Sequence, residues 1–179
     1  MLNNIVIYLD FCLKNIYNSS MKVKIPNKFK FDDTVLHNVA EPFDFGKPEK
    51  NLHLAIKMLE FMKQSNGIGL AAPQLGIGCR LFVMQTDFNI GGVPTFCFNP
   101  KILSYSETTA QIDEGCLSFP GESFAIRRPA GIHAEYYNHR GERIEARFWG
   151  LPSICFQHEL DHLDGIVMHD RFKEQNVKG

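Results

Sequence analysis

One segment near the C-terminal end constrains this chain more than any other. From Pro152, a residue tolerated in the first turn of a helix, Ile154, Cys155, His158, Leu160, Asp161 and His162 follow in a helical rhythm, and Gly165 supplies the stop. Within it, His158-Glu159-Leu160-Asp161-His162 sets two imidazoles one helical turn apart on the same face, where both can reach a single divalent ion. Glu159 lies one residue along, so its carboxylate can project beside the ion toward a metal-bound water.

Two histidines leave a catalytic site incomplete, so the rest of the fold must deliver a third ligand. Downstream, the metzincin-type pattern H-E-x-x-H-x-x-G-x-x-H is followed through Gly165, but the position for its last histidine holds Met168, and His169 comes one residue late. Upstream, Glu114-Gly115-Cys116-Leu117-Ser118 presents a cysteine, and a thiolate with two imidazoles makes a reasonable zinc or iron site with an open position. A free cysteine is also commonly a small buried hydrophobe, so the residues alone leave both sources open. A third cluster, Gly67-Ile68-Gly69-Leu70-Ala71-Ala72-Pro73-Gln74, has no phosphate-loop lysine after it. It reads either as a tight turn on a packed core or as a place where a substrate backbone approaches closely, with Gln74 offering an amide to an oxyanion.

The remaining pattern is α+β. Leu52, Ile56, Leu59 and Met62 form a helical stripe within residues 48–65, stopped by Asn66 and Gly67. Residues 80–86 read as a strand, and 95–106 as one or two more interrupted at Asn99-Pro100. Residues 132–138 and 142–149 form a hairpin around Asn138-His139-Arg140-Gly141, with Ile144, Ala146 and Phe148 alternating against charged neighbours. Without a strand-helix repeat, the expected fold is a largely antiparallel sheet packed around a central helix that carries the HExxH motif.

A chain of 179 residues, 44% hydrophobic and 22% charged, can bury one core, and a net charge of −1 gives no field for a nucleic-acid backbone. Five scattered cysteines, Cys12, Cys79, Cys97, Cys116 and Cys155, do not resemble a disulfide framework and fit a reducing compartment. The apolar run at residues 5–13 has no Lys or Arg before it and is broken by Asp10, so it reads as neither a signal peptide nor a membrane span. Met21, heading Met-Lys-Val-Lys, is a candidate natural start. Residues 1–20 are then an extension of unknown role, and 21–179 a single catalytic domain.

Taken in order and spacing, Gly67 to Gln74, Glu114 to Ser118 and Gln157 to His162 resemble the three signature motifs of the peptide deformylase family, in its short-tailed, organelle- and phage-like branch. The resemblance runs from about residue 31 to 172 and lacks the C-terminal helical extension of many bacterial members. It implies a metal held by Cys116, His158 and His162, with Fe(II) as the physiological ion and Zn, Ni or Co also accepted. Glu159 matches the general acid/base, Gln74 and the backbone amide of Leu117 the oxyanion donors, and the backbone of Gly69 the group that pairs with the substrate main chain. Ile68, Leu151, Ile154 and Cys155 match the pocket for the first side chain, and Glu114 with Arg128 a supporting ion pair. The implied substrate is the N-formylmethionyl end of a nascent polypeptide met at the ribosome exit, with formate released and neither nucleic acid nor membrane bound. The implied place is the cytoplasm of a bacterium or phage-infected cell, with organelle stroma or matrix as the alternative. A zincin-like metallopeptidase and a catalytically dead metal-binding homologue are the competing readings. The misplaced His169 argues against the first and the intact Glu159 against the second.

Overall fold

The computed structural model describes residues 33–86 and 94–176. The expectations about residues 1–20, Cys12 and Met21 lie outside the described residues. Among the described residues four α-helices, α1 (Asp33–Leu36), α2 (Pro48–Gln64), α3 (Leu151–Leu163) and α4 (Met168–Asn176), accompany seven strands. These are β1 (Gly69–Ala71), β2 (Leu81–Gln85), β3 (Pro94–Tyr105), β4 (Thr109–Cys116), β5 (Phe119–Pro129), β6 (Gly131–Tyr137) and β7 (Arg143–Trp149). The ladders are antiparallel, in a five-stranded sheet ordered β1-β2-β3-β6-β7 and a separate β4-β5 hairpin. The α+β class with antiparallel sheet stands as expected. No helix among the described residues is long and apolar enough to cross a membrane.

Helix α2 begins at Pro48 and ends where Asn66 turns left-handed (φ 57°) and the Gly67 amide bonds back to the Met62 carbonyl at 2.9 Å. Its buried face is not quite the expected stripe. Leu52 is only half-buried, while Asn51, Ala55, Met58, Leu59 and Met62 turn inward and Ile56 is buried beside them. Asn51 can be inside because its amide donates to the carbonyls of Phe45 and His139, at 3.2 and 3.1 Å. The stretch 95–106 is one strand rather than two: Asn99 adopts φ 47°, the register with β6 shifts between Phe98 and Lys101, and the missing N–H of Pro100 falls at that bulge.

The β6-β7 hairpin closes through Asn138, whose side-chain oxygen accepts from the Arg140 and Glu142 amides at 2.9 and 3.1 Å. Gly150 then turns the chain at φ 64°, a left-handed value that glycine adopts without strain, and α3 starts over the sheet. Phe156 packs edge-on to Phe82 of β2 (centroids 4.9 Å apart) and stacks on Phe148 of β7 (5.4 Å). Besides the short α1 and β1, the sequence pattern did not foresee the β4-β5 hairpin or α4. The β4-β5 hairpin is paired from Thr109↔Pro129 to Cys116↔Phe119, and α4 covers it, with Met168 packed on Cys116 and Ile126.

Candidate metal centre

Because α3 presents residues four apart on one side, the rings of His158 and His162 stand 5.0 Å apart, nearly perpendicular at 79°. Strand β4 brings in the third group. Its regular pairing with β5 breaks between Gly115 and Cys116, and the chain turns there with Cys116 Sγ 3.2 Å from His162 Nε2. Donor atoms of Cys116, His158 and His162 all lie within 4.8 Å of one another. A tetrahedral ion with nitrogen at about 2.0 Å and sulfur at about 2.3 Å needs donors roughly 3.3–3.5 Å apart, so the three groups fit a metal with a modest closing of the donor set. His169 is not in this group. It bonds Glu122 at 2.7 Å, with ring contacts to Phe119 and Phe124, so the downstream source of a third ligand fails.

Buried charges support the first histidine. His158 Nδ1 lies 2.9 Å from Glu114 Oε2, which leaves Nε2 for an ion. Arg128 donates from Nε and Nη2 to the two Glu114 oxygens, at 2.6 and 2.9 Å, and from Nη1 to Asp161 at 2.7 Å. Burial opposes the charge on Glu114, but hydrogen bonds from His158 and Arg128 outweigh it and lower its pKa. Burial likewise opposes a proton on His158, yet bonding to Cys116 and Glu114 raises that pKa to about 10. His162 is pushed well below the usual range by burial and by the charges of His158 and Arg128. The array thus attracts one positive charge and refuses a second on the next imidazole. A cation held by two neutral imidazoles and a thiolate satisfies both conditions.

Glu159 is 4% exposed, and burial first, with the nearby Glu114 charge, pushes its pKa up to about 7 against the pull of His158. Among the described residues its Oε2 has no hydrogen-bond partner, and neither does His162 Nδ1. Gln74 is held in one orientation: its Oε1 accepts from the Ala71 amide at 2.8 Å, so its Nε2 must face Ser118 Oγ (3.1 Å) and Cys116 Sγ (3.5 Å). At Gly69 a methyl group would overlap the Glu159 carboxylate and sit 2.7 Å from Cys155 Sγ, so any larger residue there must displace both side chains.

A cavity of about 590 Å³ gathers Ile68, Gly69, Gln74, Glu114, Cys116, Leu117, Leu151, Ile154, Cys155, His158 and Glu159 in its wall. Ile68 and Leu151 are each 40% exposed, whereas Ile154 and Cys155 are each 4% exposed. His162 and Arg128 are the two expected site residues that do not line it. Sequence reasoning missed Ser118, the fully buried hydroxyl that accepts from Gln74, and the role of Asp161 beneath Arg128. Asp161 could have been found from its place between the two histidines. Nothing local marks Ser118 as a partner of Gln74.

The family model described as Polypeptide deformylase matches residues 27–178. A peptide deformylase of Thermotoga neapolitana is 42% identical over 144 residues, covering 80% of this chain and 84% of the relative. The crystal structure of peptide deformylase from Thermotoga maritima superimposes with a TM-score of 0.73 at 39% identity, covering 85% of this chain and 98% of the other. A Met-Ala-Ser-bound class I type b peptide deformylase from Acinetobacter baumannii gives a TM-score of 0.74 at 31% identity, covering 84% and 99%.

Proposed function

Because this chain belongs to the peptide deformylase family, we propose that Cys116, His158 and His162 hold its catalytic metal ion and that Glu159 carries the proton of its reaction. The enzyme is a hydrolase that removes the formyl group from nascent polypeptides. When bound, the ion supplies a Lewis acid for the formyl group and brings the pKa of a water into the neutral range. The observation that carries the assignment is the convergence of one sulfur and two imidazoles within 4.8 Å, on a buried helix turn that also bears Glu159.

The chain's own residues then divide the work. Glu159, with its pKa pushed to about 7, takes the proton of the attacking water and returns it to the departing amine. Gln74 Nε2 and the Leu117 amide stabilise charge developing on the formyl oxygen, and the fixed Gln74 orientation spares reorganisation at that moment. The backbone of Gly69 pairs with the substrate main chain. Ile68, Leu151, Ile154 and Cys155, which share the cavity wall with the donor set, receive the methionine side chain, and the Acinetobacter relative bound to Met-Ala-Ser supports a peptide that begins with methionine as the ligand class. Glu114, held by Arg128, fixes the ring of His158.

The helix Leu151–Leu163 is read as the central, HExxH-bearing helix, and residues 21–179 as one catalytic domain behind an extension at 1–20. Fe(II) is the physiological ion proposed, with Zn, Ni or Co able to occupy the same thiolate-imidazole set. Substrates are met at the ribosome exit in a bacterial cytoplasm, in keeping with the bacterial relatives. The test is formate release from formyl-Met-Ala-Ser, with metal content measured on the same preparation. Turnover that persists in Glu159→Gln removes Glu159 from the mechanism.

A further inference from the structure

Behind His158 runs a line of alternating charges that reaches the C-terminal helix. Glu114 holds His158, Arg128 holds Glu114, and Arg128 also holds Asp161. From α4, Arg171 closes the line, with Nη2 and Nε at 2.5 and 3.0 Å from the two Asp161 oxygens. Asp161 is 7% exposed, so water cannot balance its charge. Arg128 alone would have to serve two buried carboxylates. With Arg171 bound to both Asp161 oxygens, Arg128 can give Asp161 one N–H and keep its Nε and Nη2 fork on Glu114. Glu114 Oε2 accepts from both Arg128 and His158, so any shift of that fork is felt at the histidine.

We propose that Arg171 is a positioning residue for the metal centre: by balancing Asp161 it keeps Arg128 on Glu114 and thereby holds His158 in its ligand orientation. The inference rests on Cys116, His158 and His162 being the ligands. A merely structural role for Arg171, as one of several ties that dock α4, can be separated from it. Gln175 on the same helix exchanges two 2.9 Å hydrogen bonds with the Arg127 backbone and touches none of the four charges.

The experiment loads full-length enzyme with zinc and follows metal transfer to a chromogenic chelator, together with melting temperature, kcat and KM for formyl-Met-Ala-Ser. Arg171→Met is expected to lose zinc faster than wild type by up to roughly tenfold, the low end of the ten- to hundredfold loss of affinity that follows removal of a ligand's direct hydrogen-bond partner. Its kcat should fall with KM little changed. Arg171→Lys, able to serve one Asp161 oxygen, should fall between the two. Gln175→Ala should melt earlier yet release zinc at the wild-type rate. Equal zinc release from Arg171→Met and Gln175→Ala overturns the proposal. If Arg171→Met does not fold, Arg171→Lys must still exceed Gln175→Ala, and equality there overturns it as well. Cys116→Ala in the same assay separates the two levels. Tight zinc retention in that variant sinks the ligand assignment, whereas its loss beside an unaffected Arg171→Met sinks only the role of Arg171.

Discussion

Helix α3 has a cavity side and a network side, and the two treat polar groups in opposite ways. On the network side Glu114, Arg128, Asp161 and Arg171 are paired among themselves at 2.5–3.0 Å. On the cavity side Glu159 keeps a buried oxygen that no described protein group satisfies, beside a thiol and two imidazoles whose donor atoms converge within 4.8 Å. Buried ion pairs add little net stability once desolvation is counted, so the network is better understood as fixing geometry. The cavity side keeps its unmet bonding capacity for an ion, a water and a substrate. Satisfied charge holds the frame, and unsatisfied charge receives what binds.

The contrast breaks most severely where the cavity side loses a ligand. Cys116→Ala leaves two protein donors and is expected to abolish both tight metal binding and turnover. His169→Ala, which removes a contact to Glu122 outside the donor group, should keep the metal and stay within tenfold of wild type, about 1.4 kcal/mol. Metal analysis and formate release on the two variants check this. Full occupancy in Cys116→Ala with loss in His169→Ala would reverse the assignment of sides.

Next in size is Glu159→Gln. The amide keeps the shape and can hydrogen-bond a water, but it cannot accept the proton, so kcat should fall by roughly 10²- to 10⁴-fold with the metal retained. On the network side the expected loss is of stability rather than of chemistry alone. Arg128→Met leaves Glu114 with His158 and Asp161 with Arg171 as their remaining partners, and removing one member of such a buried cluster costs roughly 3–5 kcal/mol. Chemical denaturation should show a lower midpoint for Arg128→Met than for Glu159→Gln. Equal midpoints would mean that the two sides are not distinguished as argued.

Legibility in the sequence follows the same division. His158, Glu159 and His162 could be placed together because helix periodicity sets them within one turn, Cys116 was singled out only through the resemblance of its motif, and the β6-β7 hairpin was legible because Asn138 and Gly141 carry their turn chemistry locally. The β4-β5 hairpin was opaque. Thr109–Cys116 contains a glycine and two acidic residues, and Phe119–Pro129 two prolines and a glycine, so local propensity argues against strands that are held by pairing with each other and by packing under α4. Asn51 is inside and Leu52 only half-buried because Asn51 finds two carbonyls, Phe45 in the segment before the helix and His139 in the remote β6-β7 turn. Arg171 was invisible for the same reason: its meaning lies in Asp161, which another helix holds in place.

The smallest expected effect concerns selectivity, and it tests whether the cavity wall beyond the metal is as specific as the metal's own surroundings. Ile154 and Cys155 are buried deep in the wall, while Ile68 and Leu151 remain 40% exposed, so a long unbranched side chain can bury itself between the two pairs. Methionine suits that shape, since its thioether is apolar and its three torsions adapt to an irregular surface. Burying it instead of a methyl group is worth on the order of 1.5–3 kcal/mol, or roughly ten- to a hundredfold. Formyl-Met-Ala-Ser should therefore exceed formyl-Ala-Ala-Ser by that factor in kcat/KM. A charged first residue should do worse still, because a carboxylate brought beside the buried Glu159 and Glu114 gains no partner there. Enlarging the floor by Ile154→Ala should lower the rate for the methionine substrate while leaving the alanine substrate almost unchanged. Equal kcat/KM values for the three peptides would show that selectivity does not reside in this wall, and would confine the specific part of the cavity to the metal and its immediate donors.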